Sequence, residues 1–407
     1  MLISRRELGG LALVLGSQTR RLFGAASIDE TLREGIKKRQ IPCVVGMIAT
    51  PDKVTYAGAF GKRDSASGID VKTDSIFEIA SMTKAVTSVA ALQLVERGKV
   101  TLDEPVSKHL PELEKLNVLE GFDSAGKPTL RPATKPVTLR LLLTHTSGFA
   151  YDTWDASMVK WAQQNGAQGP NAAPKVTPLI FEPGTRWQYG TGLDWTGRLV
   201  ETVSGQTLEQ FFQANILKPL GMNDTSFIVA PEKFDRLVSV YNRQPDGSLK
   251  ETPRQLPPPP KFYNGGGGLS STAPDYIRFT QMILRRGRGP GKEAILQPKT
   301  VDQMASNQIG AIRAGILKTQ RPNLSADVDF HPGATDKFGL GFLINQTAYE
   351  GGRSAGSLAW AGIYNTFYWI DPKRQVSGVI MMQFLPFVDP EAVGMLRDFE
   401  RAAYASA

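Results

Sequence analysis

The sequence predicts an α/β + α fold, in which an antiparallel sheet flanked by helices is interrupted by an inserted, mostly helical domain. Two strand-like segments, residues 44–50 and 53–60, stand near the amino end, and two more, residues 367–370 and 376–382, stand near the carboxyl end. Segments with helical apolar spacing occupy most of the chain between them. Because both ends supply strands, we expect them to build one α/β domain around the helical insert.

Length and composition indicate a two-domain globular protein. With 407 residues, 41% hydrophobic and 21% charged, the chain is too long for one ordinary core. No apolar run approaches the roughly 20 residues that span a bilayer. The net charge is +8, but the densest basic patch, residues 285–292, has no aromatic side chains between its cations. We therefore predict no nucleic-acid partner and no membrane span.

Disulfide and metal chemistry are not indicated by the sequence. Cys43 is the only cysteine, and His109, His145 and His331 form no ligand-spaced pair. We expect no intrachain disulfide, no metal and no cofactor.

Residues 1–26 predict an export signal. Arg5 and Arg6 precede an apolar stretch at residues 11–15, and residues 24–26 resemble a small-residue cleavage site. The arrangement is similar to a twin-arginine signal, which would direct the protein to the periplasm. The alternative is a short amphipathic segment on a cytoplasmic protein.

The first part of the α/β domain is expected at residues 27–107. Residues 28–39 have helical spacing, and the strands at 44–50 and 53–60 are joined by a Pro-Asp turn into an antiparallel hairpin. Residues 76–80 then predict a short buried strand that leads into a second helix.

A Ser-x-x-Lys pair begins this second helix. Apolar residues recur at helical spacing over residues 86–95, so Ser81 lies at or near the helix N-terminus and Lys84 one turn on. A partly desolvated lysine can act as base to the serine hydroxyl, and the helix N-terminus offers N–H groups to an oxyanion. The pair alone is weak evidence, because Ser-x-x-Lys occurs by chance roughly once in a chain of this length. A solvent-facing helix start is the alternative.

The inserted domain is expected at residues 108–264, after a polar, proline-containing stretch at 102–136. A proline run at 257–260 and four glycines at 265–268 mark its end. Four helices are expected inside it, at residues 137–143, 154–163, 192–203 and 208–216.

The second part of the α/β domain is expected at residues 265–407. It contains a helix at 273–285, a strand at 338–345, a hairpin turning at 371–375 and a closing helix at 391–405.

Two further segments contain candidate site residues. A Pro-Gly turn at 183–184 places Tyr189 on a loop just before a helix. A lysine that favours its phenolate would let Tyr189 exchange a proton with the serine, whereas a packed aromatic is the alternative. Gly362, in segment 357–363, would let a ligand lie against a strand, or mark a bulge in an edge strand.

Three motifs, Ser81-x-x-Lys84, Tyr189-x-x and Trp360-x-Gly362, together resemble the serine β-lactamase and penicillin-binding-protein superfamily. The chain is most similar to the class C β-lactamase-like group that includes the family VIII carboxylesterases. The resemblance begins near residue 28 and implies a β-lactamase/transpeptidase-like fold with the site between the two domains. Further segments that resemble the group are residues 143–148, 183–184 and 265–271.

The resemblance implies a role for each matched residue. Ser81 would be the acylated nucleophile, and Lys84 and Tyr189 would share the general acid–base work. The backbone N–H groups of Ser81 and Ile363 would form the oxyanion hole.

Two departures from the family pattern bear on the substrate. Thr191 stands where these β-lactamases have an asparagine that binds the antibiotic side chain, and Trp360 stands where they have a lysine that holds the substrate carboxylate. A lost charge-assisted hydrogen bond weakens binding by roughly 1.5–3 kcal/mol. We therefore expect a carboxylesterase for small, uncharged, short-acyl esters, with Trp360, Gly362 and Thr191 in contact with the substrate.

Other functions remain open at this point. A β-lactamase or D-alanyl-peptidase-type hydrolase would use the same residues, as would a transesterase or amidase. A catalytically inactive binding protein is disfavoured by the intact Ser81, Lys84 and Tyr189. An α/β-hydrolase triad is disfavoured because His145 lies in a helix-ending motif that a structural role explains better. His145 is expected to cap or orient the Ser81 region.

Overall fold

A seven-stranded antiparallel sheet is built from both ends of the chain, in a computed structural model that describes residues 27–166, 173–256, 258–291 and 293–405. The export signal expected at residues 1–26 lies outside these residues and stays a prediction. Across the described ranges, no helix combines the length and apolar character needed to cross a membrane.

The strands, in chain order, are β1 (Cys43–Ala49), β2 (Val54–Gly61), β3 (Phe77–Glu78), β4 (Asn117–Phe122), β5 (Pro128–Pro132), β6 (Val240–Arg243), β7 (Leu249–Thr252), β8 (Ser270–Ser271), β9 (Ile316–Leu317), β10 (Val328–Asp329), β11 (Lys337–Phe338), β12 (Leu343–Ile344), β13 (Leu358–Gly362), β14 (Thr366–Asp371), β15 (Val376–Met381) and β16 (Phe384–Leu385). The helices are α1 (residues 27–39), α2 (Thr83–Glu96), α3 (Leu139–Leu143), α4 (Ala156–Asn165), α5 (Gly192–Ser204), α6 (Leu208–Phe212), α7 (Lys218–Leu220), α8 (Ala273–Leu284), α9 (Pro298–Met304) and α10 (Pro390–Ala405). A π-helical segment, Gln213–Leu217, connects α6 to α7.

The strand order is β11-β12-β13-β14-β15-β1-β2, so β1 pairs with the carboxyl-terminal β15, with Val45 opposite Met381. Helices cover both faces of the sheet. Because side chains alternate along a strand, Tyr368 packs on Tyr276 of α8 at a ring-centre distance of 5.1 Å, while Trp369 packs on Phe399 of α10 at 5.7 Å. The predicted fold class is confirmed, with strands from both ends in one sheet.

Helix α2 is buried on all sides over residues 83–94 and packs against α5 of the helical part. Its polar side chains, Lys84 and Ser88 among them, are buried together with its apolar ones, as in a helix that lies in an interior. The site residues at its start are therefore held by packing from both parts of the chain. The domain bounds at residues 107/108 and 264/265 stay predictions.

The strand expected at residues 338–345 is wrong in detail. Two short strands, β11 and β12, are separated there by a tight turn in which Gly339 N–H bonds to the Phe342 carbonyl. A Cβ at Gly339 would collide with the Met304 carbonyl, and Gly341 has φ +100° and lies against the side chain of Ser88. The two glycines allow this turn against α2, which an alternating pattern does not reveal.

The polar stretch at 102–136, for which the sequence predicted no strand, contains the β4–β5 hairpin. The Asp123 carboxylate accepts hydrogen bonds from the N–H groups of Ala125 and Lys127 and closes its turn. The hairpin escaped prediction because β5 has a proline at each end, and a register shift between Leu119 and Gly121 interrupts the alternation of β4.

Candidate active site

Ser81 lies in a sharp turn between β3 and α2. Ala80, just before it, has φ +42°, a region that costs a residue other than glycine about 1–3 kcal/mol. The turn is fixed by Ile79, whose N–H bonds to the Leu269 carbonyl and whose carbonyl accepts the Met82 N–H. One turn of 3₁₀ helix, Ala80–Met82, leads directly into α2. The half-buried Ser81 is thus held at the start of a rigid helix.

Lys84 lies beneath Ser81 with only 2% of the residue exposed. Its Nζ atom is 3.2 Å from Ser81 Oγ, 3.2 Å from the Tyr151 hydroxyl oxygen and 2.5 Å from the Gly266 carbonyl oxygen. These three neighbours match the three N–H donors of an ammonium group. The predicted Ser81–Lys84 pair is therefore in direct contact.

Tyr189 packs over the same lysine. Lys84 Nζ lies 4.7 Å from the centre of the Tyr189 ring, and the indole N–H of Trp360 donates to the Tyr189 hydroxyl oxygen over 3.3 Å. The loop that holds the tyrosine requires glycine at position 190, because a Cβ there would collide with the Phe149 carbonyl. The structure thus brings Ser81, Lys84, Tyr189 and Trp360 into one cluster.

His145, which the sequence predicts to cap or orient the Ser81 region, contacts Tyr189 of the same cluster. Its ring centre lies 4.7 Å from that of Tyr189, and its Nδ1 accepts the Gly190 N–H over 3.4 Å. Burial, with the positive charge of Lys84, lowers the pKa of His145 well below its usual value. His145 is a neutral acceptor that orients the tyrosine loop.

Gly362 ends β13, which lies inside the sheet between β12 and β14; the alternative of an edge strand is therefore wrong. A Cβ at Gly362 would collide with the carbonyl of Ile79 and the hydroxyl of Thr366. This close approach brings the end of β13, and Ile363 directly after it, against the turn that holds Ser81.

A second contact joins the same two segments. The side chains of Glu78 and Tyr364 form a hydrogen bond, and Tyr364 follows Ile363 directly. Burial raises the pKa of Glu78, and burial with the Glu78 carboxylate raises that of Tyr364. The contact ties the segment before Ser81 to the segment after Gly362.

Thr191 and Trp360, both expected to contact the substrate, differ in how deeply they are buried. Thr191 is half-buried at the start of α5. Trp360 is buried among aromatic rings, with Phe338 at a ring-centre distance of 5.5 Å and Trp187 at 6.4 Å. Trp360 therefore acts on Tyr189 through its N–H, a contact that its sequence position alone did not suggest.

Two residues that the sequence did not single out complete the cluster. The Tyr151 hydroxyl donates to Asp194 Oδ2 over 2.6 Å, and Asp194 is only 1% exposed in the first turn of α5. Burial raises the pKa of Asp194, while the charge of Lys84 opposes that rise. Burial and the Asp194 charge raise the pKa of Tyr151 well above its usual value. The only sequence signals were weak: Tyr151 follows segment 143–148, and Asp194 lies five residues after Tyr189.

Within the described ranges, the structure adds neither a metal-binding group nor a reactive thiol to this site. No group of three or more His, Cys, Asp or Glu side chains in them could hold a metal ion. Cys43 is buried in β1, and burial raises its pKa to about 12, so its thiol is unreactive.

The sequence of this chain matches a known protein family and several of its characterised relatives. The family described as Beta-lactamase matches residues 28–401. Monacolin J acid methylbutanoyltransferase of Aspergillus terreus is 33% identical over 400 residues, covering 93% of this chain and 95% of that protein. Lovastatin esterase of Penicillium rubens is 33% identical over 361 residues, covering 84% and 88%.

Solved structures agree with this result. A mutant of simvastatin synthase from Aspergillus terreus has a TM-score of 0.81 and 32% identity, covering 94% of this chain and 97% of its own. EstCE1, described as a hydrolase with promiscuous acyltransferase activity, has a TM-score of 0.73, with coverage of 96% and 100%. At 21% identity, EstCE1 supports the fold alone.

Proposed function

The chain belongs to the Beta-lactamase family, and from that premise we propose that it is a serine carboxylesterase. It hydrolyses small, uncharged, short-acyl esters through an acyl-enzyme formed on Ser81. Relatives named as a methylbutanoyltransferase and as an esterase support acyl-ester chemistry on this scaffold. The methylbutanoyl group in the first name is itself a short acyl chain.

The observation that carries the proposal is the contact between Ser81 Oγ and the buried Lys84 Nζ at 3.2 Å. In its neutral form, Lys84 takes the hydroxyl proton while Ser81 Oγ attacks the ester carbonyl carbon. The negative charge develops on the carbonyl oxygen, where the N–H groups of Ser81 and Ile363 stabilise it. The close packing of Gly362 against Ile79 supports this pairing of donors.

Tyr189 protonates the departing alcohol and then helps to activate the water that releases the acyl group. Two neighbours hold the tyrosine in place for this exchange: Lys84 Nζ lies 4.7 Å from the centre of its ring, and the Trp360 indole N–H donates to its hydroxyl oxygen. In the β-lactamase pattern a lysine occupies the position of Trp360. In this chain the hydrogen bond from the Trp360 indole N–H to Tyr189 takes the place of the positive charge of that lysine. The tyrosine retains a donor, but a substrate carboxylate finds no cation at that position.

Acyl transfer to an alcohol is the second candidate function, because relatives that cover 93% of this chain are named as methylbutanoyltransferases. The acyl-enzyme is common to both reactions, and they differ only in whether water or an alcohol attacks it. Thr191, Trp360 and Gly362 are proposed to contact the substrate in either case.

A substrate panel tests the proposed function. Nitrophenyl esters of graded acyl length should be turned over much faster than nitrocefin or a D-alanyl amide, because these carry a carboxylate or an amide. A nitrocefin rate above that of the short esters would indicate a β-lactamase instead. Added alcohols that divert most of the acyl group from acid to ester would indicate a transferase.

The Gly362→Ala variant is expected to lose about 10- to 100-fold in kcat with little change in KM, approaching the effect of removing one oxyanion-hole donor. The new methyl group would push β13 away from Ile79 and shift the Ile363 N–H. Steady-state kinetics on a short nitrophenyl ester measure the effect. Ala359→Gly, a one-methyl change in the same strand, is the control. Wild-type kcat in Gly362→Ala would contradict the assigned oxyanion donor.

A further inference from the structure

Asp194 is a buried carboxylate that the mechanism above does not use. It accepts the Tyr151 hydroxyl over 2.6 Å and a hydrogen bond from the Asn264 side chain. The Asn264 amide has a fixed orientation, because its Oδ1 accepts the Gly266 N–H over 2.7 Å. Asp194 is therefore an acceptor in a network that closes around Lys84.

The proton of the Tyr151 hydroxyl points away from Lys84. Tyr151 has one O–H donor, and the short bond to Asp194 uses it. Burial and the Asp194 charge raise the pKa of Tyr151, so the phenol keeps this proton. Toward Lys84, 3.2 Å away, Tyr151 presents only an acceptor oxygen.

Gly266 also presents only an acceptor to Lys84, because its carbonyl oxygen lies 2.5 Å from Lys84 Nζ and cannot donate. A neutral amine has two N–H donors and one lone pair. With Tyr151 and Gly266 taking the two donors, the lone pair can pair only with the third neighbour, the Ser81 hydroxyl.

We infer that Asp194 is a positioning residue, which directs the Tyr151 proton away from Lys84 and so turns the lysine lone pair toward Ser81. The inference rests on the proposed role of Lys84 as the base. Position 266 is consistent with it, since a Cβ there would collide with Asp194 Oδ2 and come close to the Tyr151 hydroxyl. Only glycine lets the carbonyl, phenol and carboxylate close around the amine.

The inference makes an unusual prediction about double variants. In Asp194→Leu the phenol is free to donate to Lys84, which occupies the lone pair, so kcat on a short nitrophenyl ester should fall about 100-fold. Adding Tyr151→Phe removes that competing donor. The double variant Asp194→Leu/Tyr151→Phe should therefore be about tenfold more active than Asp194→Leu, a gain that independent structural damage does not produce.

Two further variants complete the design. Asp194→Asn keeps an acceptor oxygen for the phenol and should retain more activity than Asp194→Leu. Asp275→Leu is the control. Asp275 is a buried carboxylate on α8 that accepts a hydrogen bond from the Thr225 hydroxyl and lies outside the site. Thermal unfolding, kcat and KM are measured for every variant. Replacement of Asp194 should lower kcat and leave KM nearly unchanged.

The rate of labelling of Ser81 by a fluorophosphonate is measured in parallel, because it reports activation of the serine whatever ester is the natural substrate. A double variant no faster than Asp194→Leu, or Asp194→Leu at the wild-type labelling rate, would overturn the inference. Wild-type protein that labels but turns over no ester would instead refute the proposed esterase function, and the labelling rates would still decide the role of Asp194.

Discussion

Replacement of Ser81 by alanine should abolish the hydrolysis of short esters, with a loss in kcat of about 10⁴-fold or more. The Oγ atom is the only group in the cluster that lies both at the helix N-terminus and within 3.2 Å of the Lys84 amine. Without it, no acyl-enzyme forms, and the remaining donors can only polarise a bound ester. Fluorophosphonate labelling followed by mass spectrometry should place the adduct on Ser81 in the wild type and show none in the variant.

Ser88→Ala is the matched control. Ser88 lies one turn beyond Lys84 on α2, is fully buried and donates to the Lys84 carbonyl over 2.9 Å. Its loss removes a hydroxyl from the same helix without touching the amine. Ester turnover by Ser81→Ala comparable to that of Ser88→Ala would remove the basis of the enzyme assignment.

The parts of the fold that sequence could predict are those determined locally. The β14–β15 hairpin has its turn residues between two apolar runs, and α5 ends directly before Gly205, which has φ +69°. Ser81 and Lys84 are three residues apart, so one helical turn is enough to bring them together.

Other features depend on contacts between distant segments. The Trp360 N–H meets the Tyr189 hydroxyl across 171 residues, and the interruption between β11 and β12 depends on packing against α2 and the Met304 carbonyl. Tyr151 and Asp194 have side chains that are ordinary in a loop and in the first turn of a helix. Their importance lies in a network around Lys84 that no single segment encodes.

Replacement of Lys84 should be nearly as severe as that of Ser81, with kcat reduced about 10³-fold or more, because residues that act as a unit have non-additive effects. Lys84→Met and Lys84→Arg separate the two properties of the amine. Methionine removes the charge, whereas arginine keeps a charge near Asp194 but does not lose its proton in proteins. Both variants should be inactive if Lys84 is the base.

The double variant Ser81→Ala/Lys84→Met provides the decisive comparison. If Ser81 and Lys84 catalyse one proton transfer, the double variant should lose no more ester turnover than Ser81→Ala alone, although the product of two independent losses would be about 10⁷-fold. Thermal unfolding of each variant checks that the buried site remains folded. Activity of Lys84→Arg near the wild-type rate would mean that the charge at this position suffices, and Tyr189 would then have to be the base that takes the serine proton.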